Sequence, residues 1–310
     1  MIAYLILVHR FPEQFKRLFR AIHDPANHYV IHVDKSSGAA IEADIAAFIA
    51  PFANTEMLVS QRALWGGYSL VEAELRGMAQ LLAANPDWTH FINLSGQDFP
   101  LKSQAYIRAF LSRTKGTEYI RMLDQRVERP DTMNRLRYLC VEAFGRLFRT
   151  RWTRTLPTGV TPYIGTQWKI VSRAFCDYAC HAPAARTIKR FYRHSFIADE
   201  GFFQTLMMNG APHGTIAGDD LRMIDWVPDG DIKLRPRTFT TADAPALMRS
   251  ANLFARKFDM GEDGEILTLL EQHIREPRIA HASTKPEATR PAKPVSPTVP
   301  PTIQPAVLVA

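Results

Sequence analysis

Cysteine and long apolar runs are scarce in this sequence. Its three cysteines, Cys140, Cys176 and Cys180, form no CxxC pair and leave one thiol over in any pairing, which favours a reducing compartment. The apolar runs are much shorter than the roughly 20 residues of a membrane-spanning helix. Residues 1–8 are apolar but lack the flanking features of a signal peptide. We therefore expect a soluble protein in the cytoplasm.

Several widespread functional motifs are also missing. No GxxxxGK(S/T) loop is present and no GxGxxG follows the first apolar run, which argues against P-loop NTPases and dinucleotide oxidoreductases. The chain has no HExxH and no Cys/His cluster, and its ten histidines are scattered. A zinc site therefore has little support.

The charge balance is positive. The 310 residues include 38 Lys and Arg against 31 Asp and Glu, a formal net charge of +7. Such a balance favours anionic partners such as nucleotides, phosphorylated sugars or lipid headgroups. The basic residues match no standard DNA- or RNA-binding motif, so we expect no nucleic-acid partner. A hydrophobic fraction of 46% is typical of a globular enzyme of one large or two medium domains.

Arginines are concentrated in residues 135–154, where Glu142 is the single acidic residue. The six arginines are Arg135, Arg137, Arg146, Arg149, Arg151 and Arg154. Apolar residues interrupt the run, including Phe144, Phe148 and Trp152. This pattern predicts a basic amphipathic helix that makes peripheral contact with the inner face of a membrane. A solvated helix face is the alternative interpretation.

Proline marks the end of the folded region. Residues 283–310 contain 7 of the chain's 21 prolines, a density that sustains neither a helix nor a central strand. We predict one folded domain over residues 1–278 and a disordered, proline-rich tail over residues 279–310.

Short β-type runs alternate with helical patterns over the first 125 residues. Residues 2–8, 12–21 and 29–33 are predicted to form a β-α-β unit, and residues 90–94 a further buried strand. Ligands bind beyond the carboxyl ends of strands in open parallel sheets. His9, Asp34 and residues 95–100 should therefore meet in one crevice of an α/β fold.

Two successive carboxylates, Asp199 and Glu200, precede an apolar helix at residues 201–208. A helix N-terminus favours acidic residues because its amides are unpaired and its dipole is positive there. One carboxylate can serve as a cap, which leaves the other free for chemistry.

Two later segments bear on how a diphosphate could be held. Asp229-Gly230-Asp231 matches the Asp-x-Asp pattern that holds divalent cations, although Asp-Gly is also a common turn. Lys233, Arg235 and Arg237 lie in an extended segment, and Arg256-Lys257 are expected in a helix that begins near Asp243. Fixed cations can stabilise a leaving diphosphate in place of a metal. Ordinary surface charge is the alternative interpretation.

Ordered blocks of this sequence resemble the core-2/I-branching β-1,6-N-acetylglucosaminyltransferases and peptide O-xylosyltransferases, glycosyltransferase family 14. Residues 92–100, which read INLSGQDFP, belong to one of the most similar blocks. The blocks cover residues 4–9, 17–22, 29–34, 65–75, 88–102, 165–173, 199–200 and 253–259. They keep their order and extend to about Asp259.

The resemblance implies a GT-A type glycosyltransferase fold with a mixed central sheet. Residues 1–125 would form a Rossmann-like nucleotide-binding half, and residues 126–278 the acceptor and diphosphate half. It also implies an inverting enzyme that uses a UDP-sugar donor, without a cofactor and without a bound metal.

The resemblance further implies roles for single residues. Glu200 would be the general base, and Lys257 would contact the diphosphate together with either Arg235 or Arg237. The uridine would lie at His9 and Asp34. The residues expected to contact substrate are Trp65, Asp98, Trp168, Asp199 and Trp226.

The departures from the family concern its accessory features. Animal members have an amino-terminal membrane anchor and many disulfides, whereas this sequence indicates a soluble, prokaryotic-type relative. The donor sugar is N-acetylglucosamine or xylose, and the acceptor is a glycan, a lipid-linked molecule or a protein. The alternatives are a metal-dependent GT-A enzyme that uses Asp229 and Asp231, or a non-catalytic sugar-nucleotide binding module.

Overall fold

A computed structural model describes residues 1–84, 87–229 and 233–275. Its strands are β1 (Ile2–Val8), β2 (His28–Val33), β3 (Thr55–Leu58), β4 (His90–Ser95), β5 (Asp98–Pro100), β6 (Thr117–Ile120), β7 (Leu123–Asp124), β8 (Tyr138–Ala143), β9 (Arg146–Thr153), β10 (Tyr163–Ile164), β11 (Lys169–Ser172), β12 (Thr215–Ile216), β13 (Arg222–Ile224), β14 (Trp226–Asp229), β15 (Lys233–Pro236) and β16 (Phe254–Arg256). Its α-helices are α1 (Pro12–Ile22), α2 (Ala39–Ile49), α3 (Tyr68–Ala84), α4 (Gln104–Arg113), α5 (Asn134–Arg137), α6 (Arg173–His181), α7 (Ala185–Tyr192), α8 (Phe202–Asn209), α9 (Ala244–Arg249), α10 (Met260–Asp263) and α11 (Glu265–Arg275).

A seven-stranded sheet with the order β12-β6-β11-β4-β1-β2-β3 organises the fold. Strand β1 lies parallel to β2 and β4, and β2 lies parallel to β3. Strand β11 runs antiparallel to both β4 and β6. The sheet is therefore mixed, which confirms the predicted α/β class with a mixed central sheet.

Side chains of β1 explain why the strand is apolar throughout. Tyr4 and Ile6 belong to the core on one face of the sheet, together with residues of α1, α4 and α11. Leu5 belongs to the core on the other face, with residues of α3, α6 and α8. At Gly77 of α3 a β-carbon would lie 2.6 Å from Leu5 Cδ1, so this glycine permits the close approach of helix and strand.

The arginine-rich segment 135–154 is a β-hairpin, and the prediction of an amphipathic helix was wrong. Only its first residues are helical, in α5, and β8 then pairs antiparallel with β9. Ala143 faces Arg146, so Phe144 and Gly145 form a two-residue turn with φ angles of 52° and 70°. Positive φ at both positions is the geometry of a type I′ hairpin turn, which reverses the chain and ends any helix.

The expectation of a helix through Arg256 was also wrong. Helix α9 ends at Arg249, and Arg256 lies in β16. Strand β16 forms a small sheet with β13 and β5, where Arg256 faces Asp98. This pairing joins positions 158 residues apart, which no local pattern shows.

All described residues belong to one compact unit, Met1–Glu276. The predicted tail, residues 279–310, lies outside the described residues, and the division at residue 125 stays a prediction. Among the residues described, no helix combines the length and apolar character needed to cross a membrane. The cytoplasmic location stays a prediction.

Candidate active site

One edge of the central sheet collects the residues that end its parallel strands. Strands β1 and β2 finish opposite each other at Val8 and Val33, so His9 and Asp34 follow at the same edge. Ser95 at the end of β4 faces Leu7 of β1. Because β11 is antiparallel to β4, Trp168, which precedes β11, lies at this edge as well. The structure thus brings together the strand ends that the sequence analysis singled out.

Asp34 organises the loop after β2. Its buried carboxylate accepts hydrogen bonds of 2.7 Å from the backbone amides of Ser36 and Ala63, and another from the Ser36 hydroxyl. His9 lies beside it, and its carbonyl accepts a 2.8 Å bond from the Ser37 hydroxyl. Desolvation of the ring lowers the pKa of His9, and the nearby charge of Arg10 lowers it further. The imidazole is therefore neutral at neutral pH and can donate one hydrogen bond and accept another.

Several cations surround the crevice. Desolvation lowers the pKa of Lys257, and the charges of Arg10 and Arg256 add to that effect. Arg10 donates from Nη2 to Gln97 Oε1 at 3.1 Å. Among the described residues the Nε of Arg10 is buried without a hydrogen-bond partner. These positive groups lie close enough to repel one another, which is the electrostatic character expected of an anion site.

Arg256 connects this cluster to the fully buried Asp98. Its Nη1 donates to Asp98 Oδ1 at 2.9 Å and to the Ser95 hydroxyl at 2.5 Å. The other carboxylate oxygen of Asp98 accepts from the Ser95 amide at 2.8 Å. Asp98 therefore fixes the Arg256 guanidinium. Its predicted contact with substrate stays a prediction.

Trp168 is enclosed between two guanidinium groups. The guanidinium carbons of Arg222 and Arg256 lie 4.8 Å and 4.6 Å from the centre of its rings, which is cation–π distance. The indole is only 4% exposed. In this geometry Trp168 supports the arginines, and the substrate contact predicted for it remains untested.

The Asp-Glu pair lies in a short 3-10 turn, Ala198–Glu200, directly before α8. The Glu200 carbonyl accepts a 2.8 Å bond from the Gly165 amide, which ties the turn to the segment leading to Trp168. The Glu200 carboxylate is 28% exposed and accepts a 2.6 Å hydrogen bond from Arg135 Nη1. Glu200 is thus the accessible member of the pair.

Asp199 is the buried member. Burial raises its pKa from 3.8 to about 7, and the neighbouring charge of Glu200 contributes to the rise. Next to it lies a fully buried ion pair in which Lys169 Nζ is 2.5 Å from Glu74 Oε2. Burial lowers the pKa of Lys169. Asp199 therefore titrates close to neutral pH, within reach of the charges of a buried ion pair.

Arg235 and Arg237 lie in the extended segment after β14 and have different surroundings. Arg237 is paired with Asp225 at 2.7 Å and with Asp243 at 2.8 Å. Arg235 is exposed and faces Val227 across the β14–β15 ladder, and its charge is among those that lower the pKa of Lys257. Arg235 is therefore close enough to Lys257 for the two positive charges to interact.

The remaining predicted residues lie on the surface or outside the described part. Trp65 is 66% exposed and packs edge-on against Phe196, with ring centres 6.0 Å apart. Trp226 is 42% exposed in β14. The backbone of Asp229 ends β14, whereas Asp231 lies outside the described residues. Within the described ranges no group of three or more His, Cys, Asp or Glu is placed to hold a metal ion.

Sequence reasoning missed four side chains of this region. Arg10 follows His9 at a strand end, so the rule that selected His9 could have selected it. Arg256, although noted beside Lys257, was not selected. Arg135 was noted only as part of the arginine-rich segment, and Arg222 was not noted, since their partners Glu200 and Trp168 lie far away in the sequence.

A sequence model of the family described as core-2/I-branching enzyme matches residues 2–249, well over half of the chain. The chain belongs to the core-2/I-branching enzyme family. Together with the mixed sheet, this membership confirms the predicted family and its GT-A type fold.

Curated relatives of this core-2/I-branching family member include several xylosyltransferases. Xylosyltransferase 2 of Mus musculus is 28% identical over an aligned length of 295, and the alignment covers 88% of this chain and 33% of that protein. The xylosyltransferase of Ciona intestinalis is 28% identical over an aligned length of 289, and the alignment covers 87% of this chain and 34% of that protein. The chain thus spans about a third of the length of these relatives.

Solved structures give weaker likenesses. Mouse xyloside xylosyltransferase 1 in its apo form matches with a TM-score of 0.37 and 11% identity, over 82% of this chain and 97% of that chain. The 4-diphosphocytidyl-2C-methyl-D-erythritol synthase of Anaerococcus prevotii matches with a TM-score of 0.31 and 10% identity, over 62% of this chain and 83% of that one. Both scores are too low to support statements about shared geometry.

Proposed function

We propose that this family member transfers N-acetylglucosamine or xylose from a UDP-sugar to an acceptor hydroxyl, with inversion at the anomeric carbon and without a metal ion. Membership in the core-2/I-branching enzyme family supports sugar transfer. The presence of one accessible carboxylate, Glu200, and of a cluster of cations around Lys257 supports the mechanism.

Glu200 is the base in this proposal. The acceptor hydroxyl loses its proton to the Glu200 carboxylate while its oxygen forms a bond to the anomeric carbon. The bond from that carbon to the diphosphate oxygen breaks, and its electron pair leaves with UDP. The sugar passes through an oxocarbenium-like state, as in other glycosyl transfers. The partial exposure of Glu200 supports this role.

Lys257, Arg10 and Arg256 stabilise the charge on the leaving UDP. Burial and the nearby charges of Arg10 and Arg256 lower the pKa of Lys257, which supports an anion at this position because a bound anion relieves the repulsion. Either Arg235 or Arg237 is the additional contact; Arg237 is also paired with Asp225 and Asp243. His9 and Asp34 hold the uridine end.

Trp65 and Trp226 are exposed aromatic surfaces suited to sugar rings on the acceptor side. The acceptor is a glycan, a lipid-linked molecule or a protein. Its hydroxyl must reach Glu200 from solvent, and the partial exposure of that carboxylate is compatible with this approach.

The decisive experiment measures UDP release from UDP-N-acetylglucosamine and UDP-xylose with and without a panel of acceptors. Glu200→Gln should lower turnover by about 100 to 10,000-fold while folding is retained. Glu265→Gln changes an exposed carboxylate of α11 in the same way and should leave turnover unchanged. Full activity of the Glu200 variant would exclude this residue as the base.

The same assay separates the alternatives. A chelator should leave the rate unchanged. A strict Mn²⁺ requirement would favour the metal-dependent mechanism through Asp229 and Asp231. UDP binding with neither transfer nor donor hydrolysis would identify a binding module instead.

A further inference from the structure

The β8–β9 hairpin exposes aromatic and cationic side chains that the proposed reaction does not use. Phe144 in the turn is 97% exposed, Trp152 is 75% exposed and Phe148 is 47% exposed. Arg146 and Arg151 are exposed as well. Within the described ranges no carboxylate pairs with either arginine. Contacts within the described part of the chain therefore do not explain why aromatic and cationic side chains are exposed here.

One face of the hairpin and the edge of β8 attach it to the protein body. Glu142 Oε1 accepts a 2.9 Å bond from the Ser69 amide in the first turn of α3. The Cys140 amide donates to the His194 carbonyl at 2.9 Å, and Arg149 Nη2 donates to the Asn134 carbonyl at 3.3 Å. The hairpin's single carboxylate is thus turned toward the body, where it compensates none of the outward charge.

The opposite face presents the other half of the strand residues. Cys140 pairs with Arg149, so the alternate pair Val141 and Phe148 points the other way, as does Arg146. The β9 strand carries two extra residues between the pairs at Cys140 and Tyr138. This irregularity lies where Arg151 and Trp152 are exposed. The exposed surface of the hairpin therefore combines aromatic rings with unpaired guanidinium groups.

Phe144 is an unusual residue for its backbone conformation. Its φ of 52° lies in the left-handed region, which bulky side chains rarely adopt and where asparagine or glycine is preferred in such turns. Its ring is almost fully exposed, so packing within the described protein offers no compensation. Backbone strain at an exposed apolar residue indicates that the Phe144 side chain contacts another molecule.

The hairpin lies at the same edge of the sheet as the candidate active site. Helix α3 follows β3, which is parallel to β2, so α3 begins at the edge where these strands end. Glu142 contacts that first turn of α3. A surface bound by the hairpin would therefore lie on the site's side of the sheet.

We propose that the β8–β9 hairpin binds the surface of a lipid bilayer that contains anionic lipids. Phe144 and Trp152 enter the headgroup region, where aromatic side chains are favoured, while Arg146 and Arg151 contact the lipid phosphates and carboxylates. An acidic protein or polymer would attract the arginines, but it offers no apolar phase for the ring at the turn. The aromatic residues therefore favour the bilayer.

The test is co-sedimentation with vesicles of equal parts phosphatidylcholine and phosphatidylserine, compared with phosphatidylcholine alone. No donor is added, so the outcome is independent of sugar transfer. The protein should sediment with the mixed vesicles and should not sediment with vesicles of phosphatidylcholine alone. The double variant Arg146→Glu/Arg151→Glu should bind at least about tenfold more weakly, because each basic residue near an anionic surface contributes measurably.

Phe144→Asn provides a separate arm. Asparagine is favoured in the left-handed conformation of this turn, so the melting temperature should equal or exceed that of the unaltered protein. Vesicle binding should become about tenfold weaker, because the apolar side chain at the turn is lost. A variant that folds normally and binds vesicles as well as the unaltered protein would overturn the proposed insertion.

The matched control is Arg113→Glu/Lys115→Glu, with the same change in charge. These exposed residues lie just before β6. Strand β6 is parallel to β4, since both are antiparallel to β11, so its start is at the opposite edge of the sheet. The control should bind like the unaltered protein. Equal losses in both double variants would indicate general charge attraction, and capture by soluble polyglutamate without vesicle binding would indicate an acidic polymer; either result overturns the proposal.

Discussion

Arg135 Nη1 donates a 2.6 Å hydrogen bond to Oε2 of Glu200. Arg135 lies in α5, immediately before the hairpin, and Glu200 lies in the turn before α8. Both side chains are about a quarter exposed, at 24% and 28%. The ion pair holds one carboxylate oxygen of Glu200, and the other oxygen takes no part in it. Arg135 therefore orients the proposed base at a position that solvent can reach.

Replacing Arg135 should impair the base without affecting donor binding. We expect Arg135→Leu to lower kcat by about tenfold to a hundredfold, because small errors in the position of a base are costly. The KM for the UDP-sugar should stay unchanged, and Arg135→Lys should recover part of kcat. Steady-state kinetics with both variants checks this. If Arg135→Leu lowers kcat only to the extent that it unfolds the protein, and Arg135→Lys recovers no kcat, the role of Arg135 is purely structural.

Lys257→Met should weaken UDP binding by about tenfold or more, since charge-assisted hydrogen bonds to phosphate are among the stronger contacts. The protein should fold normally, because partial burial and neighbouring arginines already oppose the charge on Lys257. Isothermal titration calorimetry with UDP measures the affinity. Arg186→Met removes an exposed cation of α7 and is the control. Unaltered UDP affinity in the Lys257 variant would remove this residue from the diphosphate site.

Arg256→Met should instead destabilise the protein. Asp98 is fully buried and would lose its charged partner. Leaving one charge of a buried pair uncompensated costs about 3–5 kcal/mol. Denaturant unfolding of Arg256→Met and of Arg256→Met/Asp98→Asn measures the loss and its recovery. If the second change recovers nothing, the pairing with Asp98 is not the source of the stability.

The buried pair of Lys169 and Glu74 allows a similar cycle. Lys169→Met should lower the free energy of unfolding by about 3–5 kcal/mol, and the double variant with Glu74→Leu should regain much of it. Both side chains are fully buried, so the unpaired Glu74 charge cannot be relieved by solvent. Thermal and denaturant unfolding of Lys169→Met, Glu74→Leu and the double variant checks the prediction. Additive losses would show that the two charges are not coupled.

Asp199 should make stability fall with rising pH. Its pKa is raised from 3.8 to about 7 by burial and by the charge of Glu200; Glu74 raises it further and Lys169 lowers it. Between these two values the folded protein holds a proton that the unfolded chain releases. The contribution is therefore present below pH 3.8 and is lost as the pH rises to about 7.

Asp199→Asn tests this dependence by unfolding at several pH values. The free energy of unfolding of the variant should not fall between pH 3.8 and about 7. Above neutral pH the variant should be more stable than the unaltered protein by on the order of a few kcal/mol. Asp44→Asn, an exposed carboxylate of α2, should keep the decline of the unaltered protein. Identical pH profiles for Asp199→Asn and the unaltered protein would show that Asp199 does not titrate in this window.

Strands with continuous apolar runs were the predictable part of the fold. Strand β1 is buried along its whole length between helices on both faces, so every residue must be apolar and the run is visible in the sequence. The topological rule for parallel strands also placed His9, Asp34 and Ser95 at one edge. The hairpin at Phe144 was missed because its arginines suggested a helix and its turn lacks the usual asparagine.

The partners of the charged residues were not predictable. Arg256 contacts Asp98 only because β16 pairs with β5, and Arg237 is neutralised only because Asp225 and Asp243 surround it. Each of these contacts depends on how distant or adjoining segments turn in space. Residue type and local spacing contain no information about that geometry.

By itself, the sequence determined the alternation of strands and helices, the family blocks and the residues able to do acid-base or phosphate chemistry, because periodicity and residue chemistry are local properties. The tertiary structure alone decided which carboxylate is buried and which is accessible, which carboxylates Arg237 and Arg256 pair with, and which face of the hairpin meets solvent. Burial and ion pairing arise between chain segments far apart in sequence, so they exist only after the chain has folded.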